Sequence, residues 1–420
     1  MADEASPSWR HRLGQIAGEL RGELERAGHF MGLDRRDERR FEIAGYRGFG
    51  THVRVLVHGR VIESRNIPAA SATDSLWRNL LSTYKRIDSD PLGGARVIAR
   101  VGGVERELVA DDEGFFRQWI DLALPLREDE PWHEVELRLA TRIRADHPEV
   151  TGTATVRVPS GGPTFGVISD LDDTVIQSRI TSFLQAVRTV MLGNSRTRLP
   201  FPGVAAFYQA LERGGDGARK NPIFYVSSSP WNIYDIIADF MDVQRIPTGP
   251  IHLRDWDIGL SALSSHRLRN HKEPVIREIL DLYPTMPFIL IGDDSQKDPE
   301  IYRAILDAYP GRILAIYIRN VRATPERSAS VQALAKDVLA AGSTLVLADD
   351  TFAAAKHAAE QGWIEASALP SILEEKRADE GVSGEKADVP GVPEDPKAPT
   401  VVVEGDPLLT EEQRRVRRDD

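Results

Sequence analysis

The sequence predicts an α/β chain in which a small, β-rich, sandwich-like domain precedes a parallel sheet covered by helices, with a disordered tail at the end. Three observations predict this. Short runs of alternating apolar and polar residues fill 46–159, strand-like apolar runs alternate with helical patterns from 165 to 361, and beyond Glu374 the composition turns to Pro, Gly and charge. A chain of 420 residues accommodates two domains and a tail, at roughly 100–200 residues per domain. The boundaries are set at 1–45 for an N-terminal helical segment, 46–160 for the β-rich domain, 161–373 for the α/β domain and 374–420 for the tail.

Composition narrows the function classes. With 41% hydrophobic and 28% charged residues, no apolar stretch approaches the roughly 20 residues of a transmembrane helix. There is no cysteine, which excludes thiol chemistry, disulfides and cysteine zinc sites, and the ten histidines show no ligand spacing such as His-Glu-x-x-His. A net charge of −11 argues against nucleic acid as a partner. The tail from Glu374 to Asp420 holds 14 acidic and 8 basic residues, so it supplies −6 of that charge and leaves the body nearly balanced. The opening Met-Ala-Asp-Glu-Ala-Ser-Pro lacks the basic and apolar regions of a secretory signal, so the expected location is cytoplasmic, with peripheral contact to anionic membrane as the available membrane role.

Along the chain, Trp9, Leu13, Ile16, Leu20 and Leu24 fall at helical spacing. The amphipathic helix they predict either packs on its own domain or, with Trp9 beside Arg10, His11 and Arg12, lies on a membrane surface. In the β-rich region, Thr51–Val57, Ala95–Val101, Val135–Leu139 and Thr153–Val158 read as antiparallel strands, with hairpin turns at Gly102-Gly103 and Asp111–Gly114. No acid, base or nucleophile converges here, so a structural or partner-facing task is expected. Ser160–Pro163 reads as a linker. Strands then follow at Phe165–Ser169, Ile223–Val226, Phe288–Ile291, Ile313–Ile318 and Thr344–Ala348, separated by helical patterns at Val204–Arg213, Ile233–Met241 and Pro274–Leu282 and closed by Phe352–Gln361. In the tail, Arg414, Arg415, Arg417 and Arg418 are either solvated or docked on anionic lipid or a partner.

The chemistry gathers at strand ends, where open parallel sheets present their sites. The buried-strand pattern Phe165–Ile168 leads into Asp170-Leu171-Asp172-Asp173-Thr174. Two carboxylates one residue apart can divide the work, Asp170 as nucleophile and Asp172 as acid and base, with Mg²⁺ offsetting their repulsion. After Ile223–Val226 come Ser227-Ser228-Ser229, hydroxyls and amides suited to a phosphoryl oxygen, with Ser227 the leading candidate. Lys272 opens a helix where it can screen the charge on Asp170, and Asp293-Asp294 with Asp298 follow the next strand. Asp170, the carbonyl of Asp172 and Asp293 would suffice for Mg²⁺; Asp294 is an alternative ligand, and Asp298 either orients a metal-bound water, orients Lys272 or caps its helix. Asp173 to Pro202, with Phe183, Leu184 and Met191 ahead of Arg196 and Arg198, reads as a helix packed on the sheet or as a cover whose arginines meet a phosphate, a role Arg254 could share.

These elements, in this order, resemble the haloacid-dehalogenase-like phosphatases over roughly 160–370: Asp170, Asp172 and Thr174 match the nucleophile loop, Ser227 the strand-ending hydroxyl, Lys272 the lysine, and Asp293 with Asp298 the acidic stretch. The resemblance implies a Rossmann-like fold, and Asp172, in a place where ATPase members carry Thr, implies phosphatase or mutase chemistry. Ile168–Val175, Pro200–Tyr208 and Tyr225–Trp231 further resemble the phosphatidate phosphatases of the actin-patch-protein type and their bacterial relatives. That resemblance implies Mg²⁺-dependent hydrolysis of phosphatidate, a phosphoric monoester hydrolase activity. Two alternatives share the same residues: a phosphatase for a soluble phosphomonoester or phosphoprotein, and a non-catalytic lipid- or protein-binding module.

Overall fold

The computed structural model describes residues 40–64, 91–142, 148–171, 203–254, 272–293, 298–319, 334–338, 340–348, 350–381 and 401–404. The expectations for the helix within 8–27, for Asp173 to Pro202 and for the four tail arginines lie outside them.

Eight strands make up the β-rich region: β1 (Arg40–Gly45), β2 (Arg47–Thr51), β3 (Arg54–Ser64), β4 (Arg96–Val101), β5 (Val104–Val109), β6 (Phe115–Asp121), β7 (Trp132–Leu139) and β8 (Thr151–Arg157). They join in the order β1-β3-β2-β8-β7-β4-β5, with β6 added on β3. Period-two alternation places Val55, Val57 and Val61 of β3 and Val97, Ala99 and Val101 of β4 in a shared core with Phe116 and Ile120 of β6 and Val135 and Leu137 of β7. The Gly102-Gly103 hairpin forms as expected between β4 and β5. Two details differ. The run Thr51–Val57 is broken by a turn at His52-Val53 that separates β2 from β3, and Asp111–Gly114 joins β5 to a strand that pairs with β3 instead of closing a hairpin.

The second sheet has seven strands in the order β11-β10-β9-β12-β13-β14-β15. These are β9 (Gly166–Asp170), β10 (Ile223–Pro230), β11 (Ile251–Arg254), β12 (Phe288–Asp293), β13 (Ile313–Arg319), β14 (Thr344–Ala348) and β15 (Val401–Glu404). All pair in parallel except β15, which runs antiparallel to β14. Each inner strand is apolar on both sides because helices cover both faces. Val167, Tyr225, Ile289 and Tyr317 meet α1 (Val204–Arg213), α2 (Tyr234–Val243), α5 (Thr351–Glu360) and α6 (Leu369–Gly381). Their neighbours Ile168, Phe224, Leu290 and Ile316 meet α3 (Lys272–Leu282) and α4 (Asp298–Ala308) on the other face. No helix among the described residues is long and apolar enough to cross a membrane.

The tail does not begin at Glu374 as a disordered segment. Helix α6 runs on to Gly381, its Lys376 bonding Asp350 at 2.6 Å while Asp350 caps α5 through the Ala353 amide. Val401-Val402-Val403 supplies the β-branched edge that pairs with β14.

The β-rich region and the parallel sheet share their cores. Phe49 of β2 and Leu56 of β3 are buried with Phe224, Phe288 and the apolar face of α3, while Tyr46 packs with Trp231 and Tyr234. Polar contacts close the same boundary: Arg47 forks onto Asp242 at 2.9 and 3.0 Å, Tyr283 donates to the Gly50 carbonyl at 2.8 Å, and Trp119 donates to Glu278 at 3.0 Å.

Candidate active site

Strand β9 lies between β10 and β12, and the chain adds β10 and β11 on one side of it before crossing to β12 on the other. Its carboxyl end therefore sits at a topological switch point, where diverging connections leave a crevice. Asp170 is the last residue of β9 and is 1% exposed.

Lys272, the first residue of α3, reaches Asp170 Oδ1 at 2.7 Å and Asp298 Oδ1 at 3.0 Å. All three side chains are buried. Ion pairs withdrawn from water this way are felt strongly when one member is lost. Asp298 thus holds Lys272, one of the roles the sequence left open, while also opening α4. Gly292 makes room for it: a Cβ there would lie 2.5 Å from Asp298 Oδ2 and 2.7 Å from the Tyr302 hydroxyl, which itself donates to the Ile291 carbonyl at 2.8 Å.

On the other flank, Val226 of β10 is in register with Asp170, so Ser227 stands one residue beyond it. Ser227 is fully buried, and its Oγ accepts from the Ser229 amide at 2.9 Å. Strand β10 continues through these serines to Pro230, with its pairing to β11 shifted between Val226 and Pro230. Arg254 ends β11 opposite Pro230 and is half-buried, so it is near the serines and not beside Asp170 in the sheet.

One arrangement was not foreseen from the sequence. Ser169 Oγ donates to the Asp170 carbonyl at 2.8 Å and lies 2.8 Å from the Tyr208 hydroxyl. Since the serine proton is committed to that carbonyl, Tyr208 donates to Ser169. Burial pushes the Tyr208 hydroxyl well above the usual tyrosine range, which keeps it protonated as a donor. Tyr208 lies on α1, so the helix holds the end of β9 through Ser169.

Asp172, Asp294, Arg196 and Arg198 lie outside the described residues, and of Asp293 only the backbone, ending β12, is described. Among the described residues no three or more His, Cys, Asp or Glu side chains gather as a metal site.

Residues 165–320 match the family model of the catalytic domain of Phosphatidate phosphatase APP1. This segment is similar to that catalytic domain. The chain is 31% identical over 155 residues to Phosphatidate phosphatase APP1 of Saccharomyces cerevisiae, a match covering 37% of this chain and 25% of that protein. It is 28% identical over 160 residues to an uncharacterized protein of Schizosaccharomyces pombe, with the same shares covered. The chain thus spans about a quarter of the length of these two curated relatives. Among solved structures, a carbohydrate acetylesterase from Xanthomonas citri aligns over 69% of this chain and 71% of its own at 13% identity, with a TM-score of 0.23 that carries no argument. The APP1-type segment runs from just before β9 through β13. It contains Asp170, Tyr208, Ser227, Lys272 and Asp298 and leaves out the whole β-rich region.

Proposed function

We propose that this chain is a Mg²⁺-dependent phosphatidate phosphatase, releasing diacylglycerol and phosphate by way of an aspartyl-phosphate on Asp170. The observation that carries the reading is the buried Asp170–Lys272–Asp298 arrangement at the end of the central strand, inside an APP1-type segment.

With Lys272 on Oδ1, Oδ2 of Asp170 is the atom assigned to attack phosphorus. As that P–O bond forms, the bond to the glycerol oxygen breaks, and Asp172 gives its proton to the departing alkoxide. Water then attacks the phosphoaspartate, Asp172 takes a proton from it, and the bond to Asp170 breaks to free phosphate. Lys272 and the hydroxyl and amides of Ser227–Ser229 offset the charge on the transferring oxygens. The donor set fits Mg²⁺: hard carboxylate oxygens, more of them buried than the one lysine balances. Asp170, the Asp172 carbonyl and Asp293 would hold the ion, with Asp294 as the alternative ligand. Bound there, Mg²⁺ supplies positive charge at the phosphoryl oxygens. Arg196, Arg198 and Arg254 are assigned to the phosphate head group.

The test is phosphate release from phosphatidate in mixed micelles and from a panel of soluble phosphomonoesters, with Mg²⁺ and with EDTA. Mg²⁺-dependent turnover that favours phosphatidate is expected, and Asp170→Asn should abolish it while leaving the fold intact by circular dichroism. Equal turnover of a soluble phosphomonoester would overturn the lipid assignment. No phosphate release from any compound would leave the binding-module alternative.

A further inference from the structure

We infer that the β-rich domain is a positioning element of the active site, holding the Ser227–Ser229 strand end through an aromatic clamp on Trp231. The clamp is built from residues outside the APP1-type segment. Tyr46, between β1 and β2, stacks on Trp231 with ring centroids 5.4 Å apart and planes 11° apart, and meets Tyr234 at 4.1 Å. His58 of β3 presents its ring to Trp231 at 5.1 Å and 82°, edge to face. Trp231 is 6% exposed and follows the serines by two residues, so its ring anchors the end of the segment that carries them. The joint is fixed by backbone as well: the Arg47 amide donates to the Tyr234 hydroxyl at 2.8 Å, and the Arg47 carbonyl accepts from His58 Nε2 at 3.0 Å.

Offset and edge-to-face ring pairs are directional, so they fix orientation as well as burying area. A phosphoryl-binding segment displaced by about 1 Å loses on the order of 10²-fold in rate. The β-rich domain therefore serves the reaction without contributing a reacting group. Tyr46 and His58 are positioning residues that act through Trp231.

The inference rests on the proposed reaction, so two readouts separate them: steady-state kinetics and the dissociation constant of inorganic phosphate, both on the full chain. Tyr46→Ala should lower kcat/KM by about 30- to 100-fold and weaken phosphate binding by about tenfold, whereas Tyr46→Phe, which keeps the ring, restores both to within about twofold. Tyr234→Phe retains the ring and gives up the hydroxyl that anchors Arg47, and it should give a loss of about threefold in the same direction; it serves where Tyr46→Ala does not fold. Tyr283→Phe loosens the same boundary at Gly50, and it should lower the urea midpoint with both readouts unchanged. If the Tyr46 and Tyr234 variants behave like Tyr283→Phe, the clamp is merely structural and the inference is overturned. A wild type that turns over no phosphomonoester but binds phosphate in a Tyr46-dependent way overturns the proposed reaction and keeps the clamp. A wild type that does neither overturns both.

Discussion

Replacing Lys272 by Met keeps most of its length and removes its charge, leaving Asp170 and Asp298 buried without the ammonium they share. Their Oδ1 atoms flank one nitrogen at 2.7 and 3.0 Å, so the two oxygens lie within about 6 Å of each other, where unit charges repel by about 3 kcal/mol at an effective dielectric near 20. That agrees with the about 3–5 kcal/mol lost when one partner of a buried ion pair is removed. Urea unfolding without metal, followed by tryptophan fluorescence, reads the effect. At about 2 kcal/mol per M the midpoint should fall by roughly 2 M. In the double variant Lys272→Met/Asp298→Asn one of the stranded charges is gone, so the loss should be smaller than in Lys272→Met alone, with a coupling of at least about 1 kcal/mol. An unchanged midpoint, or strictly additive losses, would refute the shared-ammonium geometry.

Tyr208→Phe keeps the ring and deletes the donor to Ser169; a loss of about 1–2 kcal/mol in unfolding free energy and about tenfold in kcat with KM nearly unchanged is expected, and wild-type kcat would show that the hydroxyl does not hold the Asp170 peptide. Stability should fall in mild acid because His58, held neutral by burial, has its pKa lowered to about 4 from 6.5. The unfolded chain then binds more protons between those values, so His58 contributes its full stability above about pH 6.5 and loses roughly 3 kcal/mol of it as pH falls to 4. Burial lowers His252 in the same sense, and His58→Gln should flatten part of that slope in urea midpoints measured from pH 7.5 to 4. Asp298→Asn removes one buried negative charge; metal-free protein should bind inorganic phosphate about tenfold more tightly while turnover drops, and calorimetry showing weaker binding would contradict the charge count.

Strand β9 was legible because Phe165–Ile168 is an unbroken apolar run ending in carboxylates, and α1 was legible to the residue because Val204–Arg213 keeps helical periodicity behind Gly203, whose φ of 77° suits glycine and marks the start. The grouping of the buried charges was legible for the same reason: parallel sheets place polar strand-end residues together, so Asp170, Lys272 and Asp298 could be brought to one place without coordinates. The break at His52-Val53 was not, since alternation continues through a turn that contains neither Gly nor Pro. Neither was the shared core: Phe49 stands between two glycines and Leu56 between two valines, and an apolar residue in a strand says that its face is buried but not which partner buries it. The tail strand was hidden by its surroundings, three valines in a stretch otherwise rich in Pro and charge. Tyr208 and Ser169 lie 39 positions apart in apolar segments, where a lone hydroxyl reads as core.

The three buried charges depend on one another, and that dependence limits how the site can meet a phosphate. A carboxylate alone in an apolar site tends to take up a proton and a lysine alone tends to lose one. Sharing one ammonium between Asp170 and Asp298 sets an opposite charge within 3.0 Å of each carboxylate, which offsets part of the cost of burying them. The described set still sums to −1, and a phosphate monoester brings between one and two further negative charges near neutral pH. Bringing them together in a buried crevice requires more positive charge than Lys272 supplies, because charges of one sign at this spacing each cost several kcal/mol. Amides at the Ser227–Ser229 strand end offer partial charges only. In the proposed reaction the missing charge is Mg²⁺, and the same deficit explains why phosphate affinity should respond more steeply to the ion than to any one serine.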